Sequence, residues 1–263
     1  AEIGWNHMGD MEIAKKMIDA AQESGANYAK FQTWSVDRLK SGEWDLDGRR
    51  EIYKKAELSK EDHVTLIQHC NKVGIEFLSS VFSIEDAKLL VSLGLKKVKI
   101  PSFECRNEEL IKFCNNKFDV VFMSTGTSTW REITKSVELF TNAKLVLMHC
   151  VSSYPADYDK ANIFKLSPLK MLCANVGYSD HIFGVESCKV AMGYKIQAIE
   201  KHFTIDRLLP GRDNKFALLP EELKELTDYI KIYQKMHQFC GLDYQPCEEN
   251  SRTYYTGRFN KDV

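Results

Sequence analysis

Eight short runs rich in apolar and β-branched residues punctuate the chain: "AEIG" (1 to 4), "YAKFQT" (28 to 33), "EFLSSVF" (76 to 82), "KKVKIPS" (96 to 102), "VVFMSTG" (120 to 126), "LVLMHCVSS" (145 to 153), "NVGYSDH" (175 to 181) and "AIEKHFT" (198 to 204). Between them lie stretches whose apolar residues fall three and four apart, as in Ile13, Met17 and Ala21, or Leu223, Leu226, Ile230 and Tyr233. The first spacing suits strands and the second suits helices packing one face. Strands that alternate with helices must run parallel, because each helix carries the chain back to the same edge. Eight such units fit one closed (β/α)8 TIM barrel, which needs about 250 residues, and the chain has 263. No break in composition divides residues 1 to 240. A doubly wound open sheet is the alternative. It calls for a glycine-rich phosphate loop after the first strand, and "GWNHMGD" lacks the G-x-G-x-x-G pattern.

Several helices open with residues that satisfy free backbone N–H groups: Ser59 with Asp62, Ser83 with Asp86, Thr129 with Glu132. A hydroxyl accepts from the first turn there while an acid favours the positive helix end. Pro220 suits a first helical position. One connection, residues 34 to 58, far exceeds the usual length of a strand-to-helix loop. On a barrel it falls over the mouth, as a lid or substrate wall. Residues 241 to 263 are polar and aperiodic and read as a linker. "AEIG" reads as the end of a strand that begins upstream.

A formal charge of -1 and a pI near 6.7 supply no global field for nucleic acid or an anionic membrane, so an anionic ligand must be held by local groups. Eight cysteines occur without C-x-x-C spacing, several inside apolar runs. That pattern points to reduced thiols and a cytoplasmic setting. No apolar run reaches the roughly 18 residues of a membrane span.

On a parallel barrel the C-terminal strand ends share one mouth. Glu2, Asn6, Lys30, Gln32, Ser80, Lys99, Ser102, Glu104, Ser124, Tyr154, Ser179, Asp180, His181 and His202 are the polar residues expected there. A single lysine in an apolar strand can snorkel to the rim. Lys30 and Lys99 together, with hydroxyls at Ser80, Ser102, Ser124 and Ser179, suit a small anion bearing a phosphate and a carboxylate.

His181 and His202 end consecutive strands, and adjacent strands lie about 4.8 Å apart. A lone strand-end histidine is more often a hydrogen-bonded structural residue than a ligand. Two such neighbours can meet one ion while leaving positions open for water and a substrate oxygen. Imidazoles admit Zn, Fe, Ni or Cu, and nearby carboxylates and water admit Mn or Mg. His149 is a third strand-end histidine, a ligand or a buried hydrogen-bonded residue, and His7, following the first strand, is expected to line the mouth. Glu2, Glu104 and Asp213 are acid, base or hydroxyl-binding candidates, although Asp213 lies in a turn-prone "PGRD" segment where solvation is the default. Arg212 in that segment is within reach of an anion.

In order and spacing, "AEIGxNHxG", "AKFQT", "KIPSFE", "MSTG", "HCVSSYPA", "GYSDH", "EKHFT" and "PGRD" resemble the catalytic domain of the sialic acid synthase family, spore-coat polysaccharide synthesis members included. The resemblance covers nearly the whole chain. It implies a metal-dependent condensation of phosphoenolpyruvate with an N-acetylated amino sugar, such as N-acetylmannosamine or a 2,4-diacetamido hexose, with C–O cleavage and release of phosphate. It implies that His181 and His202 ligate a divalent ion, manganese first, with magnesium or cobalt as alternatives. Lys30, Lys99, Ser80, Ser102, Ser124 and Ser179 would hold phosphoenolpyruvate. Ser152, where relatives often carry asparagine, would face its carboxylate. Glu2, Gln32, Tyr154 and Asp213 would surround the sugar with Glu104 nearby, and Glu2, Tyr154 and Asp213 would serve catalysis. The resemblance also implies a homodimer and a C-terminal antifreeze-like domain after the tail. Two other readings stand beside it: a Schiff-base aldolase acting on pyruvate through Lys30 or Lys99, and a non-catalytic ligand-binding barrel. Ketoaldonate phosphate synthases share the phosphoenolpyruvate logic, but "YSDH" paired with "EKHFT" fits the sialic acid branch better.

Overall fold

The computed structural model describes residues 1–259. Eight strands form one all-parallel sheet in sequence order: β1 (Glu2–Gly4), β2 (Tyr28–Thr33), β3 (Glu76–Val81), β4 (Lys97–Ile100), β5 (Val120–Ser124), β6 (Lys144–Cys150), β7 (Val176–Asp180) and β8 (Ala198–Lys201). Glu2 bridges to His202, and the Phe203 N–H donates to the Glu2 carbonyl at 2.8 Å, so the first and last strands meet. The chain is the expected (β/α)8 barrel.

The helices are α1 (Met11–Glu23), α2 (Arg49–Ala56), α3 (Lys60–Val73), α4 (Ile84–Ser92), α5 (Glu108–Lys117), α6 (Trp130–Val137), α7 (Leu166–Leu172), α8 (Glu186–Met192), α9 (Pro220–Met236) and α10 (Glu249–Tyr255). The three expected caps form: Ser59 accepts from Asp62 N–H, Ser83 from Asp86 N–H and Thr129 from Glu132 N–H. Each such cap contributes about 1 kcal/mol. Asp10 caps α1 in the same way, accepting from the Glu12 and Ile13 N–H groups.

Most strands stop one to three residues short of the runs read from sequence. Beyond Ile100 the chain turns into a 3-10 turn over Ser102–Glu104, and His181 and His202 each follow the last residue of a strand. Apolar and hydroxyl residues continue past the last ladder bond because the mouth, not the sheet, uses them. The long connection after β2 is likewise more ordered than a loop, carrying two 3-10 turns (Val36–Arg38, Glu43–Asp45) and α2.

Ala1–Asp228 is one compact unit, and the chain from Tyr229 onward is a second. Within the second, residues expected to be aperiodic form a 3-10 turn at Pro246–Glu248 and the helix α10. Residues 260–263 of that tail lie outside the described residues. Among the described residues no helix is long and apolar enough to cross a membrane.

Candidate active site

Strand side chains alternate between the barrel interior and the helix layer. The floor of the interior is apolar, built from Leu78, Phe122, Val146 and Met148. Two residues further along each strand the interior becomes polar. Lys30, Ser80, Lys99, Ser124, Cys150, Ser179 and Glu200 line a cavity of about 890 Å³ that opens at the C-terminal ends. Active sites of this fold sit at that end.

Four charges dominate the base of the cavity. Lys30 Nζ lies 2.6 Å from Glu2 Oε2 and 3.7 Å from Glu200 Oε2, and it donates to Ser80 Oγ at 2.8 Å. Lys99 Nζ donates to both Glu200 oxygens, at 2.9 and 2.8 Å. Ser179 Oγ donates to Glu200 Oε1 at 2.9 Å, and Gln32 Nε2 donates to Glu2 Oε1 at 2.7 Å. Burial raises the Glu2 carboxyl, with Lys30 opposing. Burial acts the same way on Glu200, but Lys30 and Lys99 overcome it and hold this carboxyl well below its usual range. Burial lowers the Lys99 ammonium against the pull of Glu200, whereas for Lys30 the two carboxylates outweigh burial and its pKa rises. Both lysines are paired with buried carboxylates.

The two histidines stand beside this cluster, with ring centroids 5.3 Å apart. His181 Nδ1 bonds the Val151 carbonyl at 2.9 Å, and His202 Nδ1 lies 3.5 Å from Asp213 Oδ2. The Val151 carbonyl thus fixes the His181 ring, whereas His202 Nδ1 is buried without a hydrogen-bond partner beside Asp213; among the described residues neither Nε2 has a hydrogen-bond partner. For His181, an acceptor on one ring nitrogen with the other left open is the arrangement found in metal-ligating histidines. Burial lowers His202 to about 4, which favours the neutral, lone-pair-bearing ring. Among the described residues no three His, Cys, Asp or Glu side chains converge on one point. What the site offers an ion is the neighbouring imidazole pair, whose chemistry fits a cation that leaves its remaining positions to water and substrate.

Around this charge cluster, Ser102 Oγ accepts from the Gly126 N–H at 3.1 Å, while Ser124 Oγ is buried without a partner. A Cβ at Gly126 would lie 2.2 Å from Ser152 Oγ and 2.7 Å from Ser102 Oγ, so a side chain there would displace both hydroxyls. Ser152 sits behind Gly126, with Cys150 Sγ 3.8 Å away.

At the mouth, the Tyr154 ring packs on His181 with centroids 4.2 Å apart. Asp213 is buried, not solvated as its turn-prone segment suggested, because the Trp5 indole N–H donates to Oδ2 at 2.6 Å. Glu104 lies on the rim and accepts from Asn107 Nδ2 at 2.7 Å. Arg212 lines the cavity 3.3 Å from Asp47 of the long connection. That connection supplies Trp34, Arg38, Leu39, Arg49 and Tyr53 to the cavity wall.

His149 bonds the Ala161 carbonyl at 2.8 Å and stacks on Tyr178, away from the histidine pair, so its buried structural alternative holds. His7 is buried against Phe31 and accepts from the Gly9 N–H. Glu200 and Cys150 escaped the reading of residue types. The signal for Glu200 was parity: it stands two residues before His202 and so shares its face of the strand.

A family model described as the NeuB family matches residues 17–239. The chain is 38% identical over 250 residues to the N,N'-diacetyllegionaminic acid synthase of Legionella pneumophila, covering 88% of this chain and 70% of that protein. It is 36% identical to the N,N'-diacetyllegionaminic acid synthase of Campylobacter jejuni, covering 89% of this chain and 75% of the relative. The crystal structure of N-acetylneuraminic acid synthetase from Leptospira borgpetersenii, in complex with citrate, superposes with a TM-score of 0.90 at 31% identity, covering 99% of this chain and 92% of that one. With the barrel, the inward polar layer and the paired histidines in place, these matches establish that the chain belongs to the NeuB family.

Proposed function

We propose that this chain condenses phosphoenolpyruvate with the open-chain aldehyde of an N-acetylated amino sugar, giving a nine-carbon 2-keto acid and inorganic phosphate. The observation that carries this reading is the Lys30–Glu200–Lys99 cluster at hydrogen-bonding range of the inward hydroxyls, beside two histidines with free Nε2 atoms. The ammonium groups hold phosphate and carboxylate, and Ser80, Ser102, Ser124, Ser152, Ser179 and the Gly126 N–H supply further donors. His181 and His202 hold a divalent cation, manganese before magnesium or cobalt. When bound, such an ion supplies Lewis-acid polarisation of a carbonyl oxygen.

In the reaction the C3–C1 bond forms as the enol phosphate donates its π electrons to the aldehyde carbon. The aldehyde C=O π bond breaks as its oxygen takes up a proton, positive charge develops at C2, and water adds there with loss of one proton. The C2 hydroxyl so formed becomes the ketone, losing its proton as the C2–O bond to phosphate breaks. Glu2 orients that water and takes its proton, a role suited to a buried carboxyl whose pKa is raised. Gln32, Glu104, Tyr154 and Asp213 position the sugar. The two legionaminic acid relatives make a 2,4-diacetamido hexose the first sugar to try, with N-acetylmannosamine the second.

The Schiff-base alternative needs a neutral amine, and both lysines are instead tied to carboxylates. Phosphate release from phosphoenolpyruvate, assayed across these sugars with Mn²⁺ and with chelator, tests the proposal. Release that requires both metal and one sugar supports it. Trapping of pyruvate by borohydride at either lysine supports the aldolase instead, and binding without turnover of any sugar supports a ligand-binding barrel. The family resemblance extends the proposal to a homodimeric, cytoplasmic enzyme.

A further inference from the structure

The ends of β7 and β8 repeat one order of side chains. Each has an inward polar residue, an outward charge and then a histidine: Ser179-Asp180-His181 and Glu200-Lys201-His202. The register sets Ser179 opposite Glu200 and Asp180 opposite Lys201, so the two strands carry matched cross-strand pairs. The inner pair bonds at 2.9 Å, the outer pair bonds at 2.9 Å, and the two rings follow at the tip.

The outer pair belongs to no ligand site. Its side chains are 0% exposed for Asp180 and 4% for Lys201, and they point into the helix layer behind the barrel wall. Every acceptor of Asp180 is used. Oδ1 takes the Tyr178 hydroxyl at 2.9 Å and the Ile182 N–H at 3.0 Å, while Oδ2 takes Ser187 Oγ at 2.5 Å and Lys201 Nζ. Lys201 also donates to the Ile182 carbonyl. Both peptide groups of Ile182 are thereby tied, one to the residue before His181 and one to the residue before His202. The backbone that follows His181 cannot rotate without breaking a buried, charge-assisted bond.

A buried ion pair is a poor device for stability alone, because apolar residues of similar volume commonly serve as well or better. What charge adds is direction. We propose that Asp180 and Lys201 are positioning residues that lock the ends of β7 and β8 in register, so that His181 and His202 present Nε2 atoms to one divalent ion. This rests on the two-histidine reading of the site.

The test uses the full chain as Asp180→Asn, Lys201→Met, the double variant, and the milder Tyr178→Phe and Ser187→Ala, each of which removes one bond to Asp180 and leaves the ion pair intact. Mn²⁺ affinity is read from loss of the free-ion EPR signal, phosphoenolpyruvate affinity without metal by calorimetry, and folding by circular dichroism. For folded variants of the pair we expect Mn²⁺ to bind about 10- to 100-fold more weakly, with phosphoenolpyruvate affinity held within about threefold. Tyr178→Phe and Ser187→Ala, which keep the fold, should weaken Mn²⁺ by about three- to tenfold. Wild-type Mn²⁺ affinity in the folded variants overturns the proposal and leaves the metal reading standing. Parallel loss of Mn²⁺ and phosphoenolpyruvate binding also overturns it, as general damage. No Mn²⁺ binding by the wild-type chain overturns both.

Discussion

Lys99 donates to both oxygens of Glu200 from the opposite side of the barrel, at 2.9 and 2.8 Å. The cation that would hold an anionic substrate is thus already paired by an acid on the far wall. An incoming anion competes with Glu200 for the ammonium or is bridged to it through protons, and the cluster stays compensated when empty.

Glu200→Gln removes that compensation and leaves Lys99 buried without a counter-charge beside the Lys30–Glu2 pair. Losing one partner of a buried pair typically costs about 3 to 5 kcal/mol, so the ligand-free variant should melt well below the wild type. Phosphoenolpyruvate should then raise its melting temperature more than it raises that of the wild type, since the ligand replaces the lost charge. Equal ligand-induced shifts in the two proteins, measured by scanning calorimetry, would remove Glu200 from the anion site.

Glu2→Gln keeps the Gln32 contact in shape but cannot take a proton. Phosphate release should fall by about 10²-fold or more in kcat, with phosphoenolpyruvate affinity little changed. Full turnover in this variant would show that Glu2 is not the base.

Gly126→Ala places a methyl group 2.2 Å from Ser152 Oγ and 2.7 Å from Ser102 Oγ. Both hydroxyls must move, so overpacking should cost about 1 to 3 kcal/mol of stability. The KM for phosphoenolpyruvate should rise by about tenfold or more, equivalent to roughly 1.4 kcal/mol of lost binding. An unchanged KM in steady-state kinetics would show that the Ser102–Gly126 corner does not touch this substrate.

His7 gives the native state a pH dependence of definite sign. Burial lowers it from 6.5 to about 4, against smaller opposing effects of Asp62, the Gly4 carbonyl and Asp10. Between those values the unfolded chain binds a proton that the folded chain does not, so stability rises with pH through about 4 to 6.5 and is lost on acidification. The gap corresponds to about 3 kcal/mol at most. His7→Asn keeps an acceptor for the Gly9 N–H without titrating, so its melting temperature should vary less steeply across that window. His63 and His149, also lowered by burial, act in the same direction and keep the curve from becoming flat. An identical slope in variant and wild type would show that His7 titrates normally in the fold.

Much of this molecule was legible before any coordinates. Helices and strands differ in period, so alternating periods announce parallel strands, and eight repetitions close a barrel. Caps at Ser59, Ser83 and Thr129 were readable because capping is local. The polar layer of the interior was nearly readable too, since residues two apart on a strand share a face. Applied to "AIEKHFT", the same rule would have placed Glu200 with His202.

Pairing of charges across the barrel was not legible, because it depends on distances through space that no spacing along the chain encodes. Sequence presented Lys30 and Lys99 as free cations, and only the closed wall showed that Glu2 and Glu200 answer them. Asp213 looked solvated until the Trp5 indole was brought against it from the other end of the chain. His149 and His181 looked alike as strand-end histidines, and packing separated them, giving one to the Ala161 carbonyl and the other to the mouth. Local periodicity thus determined the strand order and the inward faces of this protein. Register and closure, which set which side chains touch across the ring, decided the chemistry those faces can perform.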